Sequence, residues 1–320
     1  MATKQHLVYA PEYKSDLSVL GTTVQFAPDR GARVIRQLKS EFRCPIDVRR
    51  PRMLTFKQIE LTHDHVYIES LKEPAVWADI FGIPTVLPPG KHTSRILRRL
   101  FNEYRLKSGG TLLAAQLALR HGLAANLGAG YHHAHRNRGD GYCLINDIAI
   151  TIHNLRQKNS VKKVMVVDLD FHQGNGVSTI FAGDADTFTL DFHSLEAWPK
   201  NKEQCSLAVA IAGNESHLYN QKLKPALAKA LSMFQPELVL FLHGADSYEY
   251  GLKERGSCFG LTLEQIRERD ELVIDTFADR KIPLALVFAG GYGNRAWEAH
   301  YQGVRHLLQR AGALPDKINQ

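Results

Sequence analysis

An α/β fold, with a mainly parallel central sheet and helices on both faces in one domain over residues 1–320, is what this sequence predicts. Three observations carry that expectation. Short apolar runs of strand length alternate with segments of helical period. A chain of 320 residues with 44% hydrophobic content can bury a large core. No repeat, low-complexity tract or interdomain linker interrupts it.

The strand-like runs are 6–10 (HLVYA), 163–169 (KVMVVDL), 186–192 (DTFTLDF), 237–243 (ELVLFLH) and 283–288 (PLALVF). Helical period marks 110–127, 216–234, 262–278 and 294–310, and Thr262 and Gln265 have capping-box spacing at the start of the third. The Pro- and Gly-rich stretch 82–92, GIPTVLPPGKH, reads as a long loop. In such a fold the polar residues at the carboxyl ends of the strands form the site.

Composition narrows the function classes. The first residues lack the apolar core of a secretory signal, and no run approaches the roughly 20 apolar residues of a membrane span. The expectation is a soluble cytoplasmic protein with no membrane partner. Cys44, Cys143, Cys205 and Cys258 are scattered and form no CxxC pair, which argues against a disulfide framework or a thiolate zinc cluster. The net charge of +7 includes basic runs at Arg49–Arg52 and Lys91–Lys107. These read as solvated helix faces rather than as a nucleic-acid surface.

The chemistry-bearing residues follow the strands. After VMVV come Asp168, Asp170 and His172, which strand alternation places on one face at the strand's carboxyl end. Asp246 follows LVLFLH, and Gly290, Gly291 and Tyr292 follow LALVF. The loop YHHAHRNRGDGYC supplies His132, His133, Gly141 and Tyr142. Taken singly, each has a bland reading: an Asp after a strand is usually a cap or turn residue. Two acids and a histidine leaving one apolar strand are different, because burying them without a cation or hydrogen-bond partners is costly. Asp, His and a distant Asp, with open positions left for water, make a catalytic zinc set.

The order HH, G-Y-C, DLDFHQGNG, HGADS, GGY resembles the zinc-dependent histone deacetylases of the arginase/deacetylase-like fold, over roughly residues 5–310. The SGGTLLAAQ…GAGYHH segment, Gln173 and the short chain resemble class IV and its bacterial relatives. The resemblance implies one Zn2+ on Asp170, His172 and Asp246. It implies catalytic roles for His132, backed by Asp168, for His133, backed by Asn175 where some relatives have aspartate, and for Tyr292. It implies a substrate tunnel lined by Gly141, Tyr142, Trp198, Gly290 and Gly291. It also implies a K+ near Asp168, using the backbones of Asp170 and His172 and the side chain of Asp191.

The activity so implied is hydrolysis of the N-ε-acyl-lysine amide of a peptide or protein. A small acylated amine, such as an acetylpolyamine, is the alternative substrate on the same fold. A non-catalytic acyl-lysine binder is disfavoured by Tyr292 and the histidine pair, and ureohydrolase chemistry would need metal ligands in place of Asn175 and Tyr292. Cys143 lies in the apolar stretch YCLI and reads as buried filler, not as a nucleophile. Two expectations concern loops. The small residues 128–130 (GAG) either open a cavity beyond the metal for longer acyl groups or only form a turn after the helix, and 247–260 contributes to the rim.

Overall fold

The structure is a computed structural model that describes residues 5–14, 16–22, 24, 27–84, 86–251 and 258–315. Its elements run β1 (Leu7–Val8), α1 (Arg30–Phe42), β2 (Val48–Arg49), α2 (Phe56–Ile59), α3 (His65–Ser70), α4 (Pro74–Phe81), α5 (Lys91–His121) and β3 (Leu123–Asn126). They continue with α6 (Asp147–Gln157), β4 (Val164–Asp168), α7 (Asn175–Ile180), β5 (Thr187–Ser194), β6 (Leu207–Ile211), α8 (Tyr219–Met233) and β7 (Leu238–His243). The chain closes with α9 (Leu263–Ala278), β8 (Leu284–Phe288) and α10 (Ala296–Arg310). Eight strands form one sheet in the order β2-β1-β3-β8-β7-β4-β5-β6. Every pairing is parallel, so all strands deliver their carboxyl ends to one edge.

Alternation within the strands builds two cores. Met165 and Val167 of β4, Val239 and Phe241 of β7, and Leu284, Leu286 and Phe288 of β8 face α1, α8, α9 and α10. Their neighbours Val164, Val166, Leu238, Leu240, Leu242, Ala285 and Val287 face the opposite layer, which includes α3–α6. These strands are apolar on both faces because both are covered. Each Leu, Val or Phe so buried contributes about 1.5–3 kcal/mol.

Several expected boundaries move. The helical segment 110–127 is the end of the longer α5, which stops at His121; residues 123–126 are β3. Gly122, at φ +91°, turns the chain, and β3 fills the gap between β1 and β8. An apolar stretch this short has no period of its own, so only the neighbouring strands make it a strand. Lys91 and His92 belong to α5, not to the preceding loop. The basic run expected as a solvated face is one over much of its length, with Lys91, Arg95, Arg98 and Arg99 exposed. The segment 216–234 is divided between a short 3-10 turn and α8, whereas α9 carries the capping box expected at Thr262 and Gln265. Helices α1 and α6 and the edge strands β2 and β6 had no counterpart among the expected elements.

Candidate active site

The four central strands β3, β8, β7 and β4 end together, and the residues after each of them meet. β4 ends at Asp168, so Asp170 and His172 lie beyond the strand rather than on its face. Hydrogen bonds, not strand alternation, aim them. Asp170 N–H donates to Asp168 Oδ1 (3.0 Å), His172 N–H to Asp170 Oδ1 (3.0 Å) and Phe171 N–H to Asp246 Oδ1 (3.0 Å). Gly290 N–H donates to Asp170 Oδ2 at 2.6 Å, which ties the loop after β8 to the one after β4.

Asp170, His172 and Asp246 thereby bring three ligand atoms within 4.8 Å of one another. His172 Nδ1 stands 3.1 Å from Asp246 Oδ2 and 3.4 Å from Asp170 Oδ1. Both carboxylates are buried, at 1% and 0% exposure. Burial and the Asp170 charge push Asp246 up to about 6, the response of a buried carboxylate beside a second one. A Cβ added at Gly290 would overlap Asp246 Oδ2 and Asp170 Oδ2. The cluster is therefore a cradle in which glycine keeps the approach open. These donors suit a divalent cation.

The histidine pair stands beside the cradle. Asp147 accepts from Tyr131 N–H (2.6 Å) and Gly130 N–H (3.1 Å) and fixes the turn that presents it. His132 Nδ1 meets Asp168 Oδ2 at 2.7 Å, and His133 Nδ1 meets Asn175 Oδ1 at 2.8 Å. Burial lowers the basicity of both rings. At His132 the Asp168 and Asp170 charges outweigh it and push the pKa up to about 10. At His133 burial and the neighbouring imidazoles outweigh the Asp170 charge and the Asn175 hydrogen bond, and its pKa falls well below the ordinary value. His133 Nδ1–H donating to Asn175 leaves Nε2 as a lone-pair base. Burial and the Asp246 and Asp170 charges hold the Tyr292 phenol protonated, far above its usual pKa. Burial does the same to the Cys143 thiol, which leaves no thiolate to act as nucleophile.

A profile of the histone deacetylase domain matches residues 24–308. The chain belongs to the histone deacetylase family. It is 31% identical over 301 residues to histone deacetylase 2 of Arabidopsis thaliana, a match covering 91% of this chain and 75% of that one. It is 36% identical over 205 residues to an uncharacterized protein of Picosynechococcus, covering 63% of this chain and 66% of the relative. With AcuC, the acetoin utilization protein of Bacillus subtilis, it shares 27% identity over 64% of this chain, spanning about half (56%) of that relative. An HDAC homolog complexed with SAHA superposes with TM-score 0.71 at 22% identity, covering 99% of this chain and 87% of the other. Acetylpolyamine aminohydrolase of Burkholderia pseudomallei gives 0.70 at 19%, covering 95% and 98%. These two likenesses show the arginase/deacetylase-like fold.

An open mouth of about 390 Å³, lined by Tyr142 and Trp198 among others, leads to the candidate site. The Trp198 ring is 4.7 Å from that of His133. Gly141, at φ +49°, sits between them; a Cβ there would lie 2.6 Å from His133 Cδ2 and 2.8 Å from Trp198 Cη2. Gln173 exchanges two hydrogen bonds with the Glu203 backbone, at 2.8 and 2.7 Å, and so anchors the loop that follows Trp198. Asp191 lies beside Asp168 in register across β5 and β4; it accepts from Gly174 N–H (2.9 Å) and pairs with His193 (2.7 Å). Of loop 247–260, residues 252–257 lie outside the described residues. Within the described part, Gly251 O accepts from Tyr292 N–H at 3.1 Å, so this loop supports the tyrosine from behind.

Sequence reasoning missed a buried relay under the site. Asp270 of α9 bonds His243 Nε2 (2.6 Å), His243 Nδ1 faces His300 Nδ1 (3.1 Å), and His300 Nε2 faces Arg30 Nη1 (3.1 Å). Arg30 Nη1 also donates to Ala289 O at 2.9 Å, and Arg269 Nη1 to Gly244 O at 2.9 Å. The relay clamps the two loops that carry Asp246 and Tyr292. His243 was visible in the HGADS motif; the other members carry no local signal. Beyond the histidine pair, Gly128, Ala129 and Gly130 line an inner cavity of about 100 Å³. Ala129 (φ +69°) and Gly130 (φ +76°) also turn the chain.

Proposed function

We propose that the chain is a zinc-dependent hydrolase of N-ε-acyl-lysine amides, of the class IV type, acting in the cytoplasm. The observation that carries this reading is the convergence of Asp170, His172 and Asp246 with the histidine pair and Tyr292 at the foot of the Tyr142–Trp198 mouth. Asp170, His172 and Asp246 would hold the zinc, which when bound polarises the amide carbonyl and makes hydroxide available near neutral pH.

The remaining work belongs to the side chains. His133 Nε2 accepts the proton of the attacking water and returns one to the departing lysine amine, with Nδ1–H held on Asn175. His132, kept cationic by Asp168, favours negative charge in its vicinity. The Tyr292 hydroxyl donates to the developing charge on the amide oxygen. Gly141, Tyr142, Trp198, Gly290 and Gly291 form the slot for the aliphatic lysine stem and the acyl group. K+ is proposed beside Asp168, on the backbones of Asp170 and His172 and on Asp191.

A small acylated amine remains the second reading. Asp79 and Asp140 stand at the mouth and would attract a polycation. Zinc-reconstituted protein should be assayed against acyl-lysine peptides of increasing chain length and against acetylated polyamines, with and without K+. Faster turnover of peptides supports the first reading, and turnover of polyamines alone replaces it with the second. Asp170→Ala, His172→Ala and Asp246→Ala should each lose bound zinc in elemental analysis. Full occupancy in any of them sinks the ligand assignment.

A further inference from the structure

Trp198 lines the mouth of the site, yet no helix or strand holds it. It lies between β5, which ends at Ser194, and β6, which starts at Leu207. Its ring meets that of His133 edge-on at 4.7 Å and lies 6.4 Å from that of His172, and a Cβ at Gly141 would come within 2.8 Å of its Cη2. The inner edge of the indole is thus closely fitted, although the residue as a whole is 41% exposed. An aromatic side chain on an irregular surface segment keeps such a fit only if something fixes the backbone that carries it.

Lys202 is placed to do so. Its Nζ donates to Ala197 O (2.6 Å) and to Pro199 O (2.8 Å), the carbonyls immediately before and after Trp198. Hydrogen bonds from an ammonium are stronger than neutral ones, and these two close the chain around the tryptophan. The next residue, Glu203, is joined through its backbone to the Gln173 side chain by two hydrogen bonds, at 2.8 and 2.7 Å. Gln173 is fully buried and follows His172, a member of the metal cradle. Trp198 is therefore tied to the loop that bears the candidate ligands by two successive links, Gln173 to Glu203 and Lys202 to the flanking carbonyls. The entry to the segment is held as well, by Leu195 N–H on Ile211 O (3.0 Å) and Ala197 N–H on Ser194 Oγ (3.2 Å). His133 does not depend on this wall for its orientation, because Asn175 Oδ1 holds its Nδ1 at 2.8 Å.

We propose that Lys202 is a positioning residue that fixes Trp198 and so sets how tightly the site holds the aliphatic stem of an acyl-lysine; this rests on the acyl-lysine hydrolase reading above. Lys202 acts through the indole and touches no reacting atom. Its loss weakens binding of different acyl-lysines by the same factor, since the wall meets the stem they share and not the acyl group. Turnover of bound substrate changes little, because the base, the ligands and Tyr292 keep their own partners.

The test uses zinc-loaded enzyme and one peptide carrying acetyl- or pentanoyl-lysine. Lys202→Met, which keeps the stem and removes the donors, should raise KM about two- to tenfold for both substrates, the cost of ordering one more side chain on binding, with kcat changed less than about twofold. Lys202→Arg should bring KM back toward the wild-type value. In a Trp198→Ala background Lys202→Met should add nothing, because the side chain through which it acts is gone. Hydrogen exchange over residues 195–201 should be faster in Lys202→Met than in the wild type and slow again in Lys202→Arg. If Lys202→Met does not fold, Lys202→Gln, which keeps a donor on a shorter side chain, takes its place. An unchanged KM overturns the proposal, as does a rise of equal size in the Trp198→Ala background or a loss carried by kcat; each leaves the hydrolase reading intact. If the wild type hydrolyses no acyl-lysine, that reading falls and takes the claim about the stem with it, and the exchange rates alone decide whether Lys202 fixes the wall.

Discussion

Asn175→Asp is the most informative single substitution, because the two histidines of the pair already supply its control. His132 and His133 are both buried, at 3% and 6% exposure, and their Nδ1 atoms meet an oxygen at 2.7 and 2.8 Å. The partner is a carboxylate in one case and an amide in the other. His132 is pushed up to about 10 and His133 is held well below 6.5. Part of this gap belongs to Asp170 and to repulsion between the rings, so the exchange cannot recover all of it. An opposite charge at this distance is worth roughly one to three units. Asp140 Oδ2 lies 3.4 Å from the Asn175 amide nitrogen and would repel a new carboxylate, which moves the expectation to the lower part of that range, about one to two units. A higher His133 pKa means that the base is protonated at higher pH. The acid limb of kcat/KM should therefore move up by about one to two units, each costing tenfold in rate below the new pKa. The assay is a pH profile of both proteins at matched zinc content. An acid limb that stays put or moves down would refute His133 as the neutral base.

Tyr292→Phe should keep its zinc and its fold and lose on the order of a hundredfold in turnover, the cost of one donor to the developing oxyanion; near-normal kcat at matched metal content would contradict that role. Gly290→Ala places a methyl against Asp170 and Asp246, so elemental analysis should find zinc occupancy sharply reduced, and full occupancy would show the cradle to be less tight than its distances imply. His63 is buried and accepts Asn146 N–H on Nε2 at 2.9 Å, and burial lowers it from 6.5 to about 4. The folded pKa lies below the unfolded one, so stability is intact above about 6.5 and declines as pH falls toward 4, by roughly 3 kcal/mol in all. Thermal melts of His63→Gln should show a shallower decline over that window than the native chain, with His133, His153, His243 and His300, which burial also lowers, contributing in the same direction; an unchanged slope would exclude His63.

The sequence by itself determined the central strands of the sheet other than β3 and the chemistry to be expected at its edge. The runs at 163–169, 186–192, 237–243 and 283–288 became β4, β5, β7 and β8, because period and composition are local properties that the backbone obeys wherever both faces are covered. The polar residues were legible for a related reason: Asp168, Asp170, His172, Asp246 and Tyr292 each sit at or just after the end of such a run, and parallel strands carry the residues at their carboxyl ends to one edge. Tertiary structure decided the rest. Whether 123–126 is helix or strand depended on the gap between β1 and β8, and Asp170 and His172 were aimed by hydrogen bonds to partners such as Asp246 and Gly290, not by the strand. Arg30, Asp270 and His300 came together around His243 from α1, α9 and α10, and nothing local distinguishes these three from surface or core residues elsewhere in those elements. The physical reason is distance along the chain: Arg30 meets His300 across 270 residues, and a charge placed in a cavity acquires its meaning only when the fold removes the water around it.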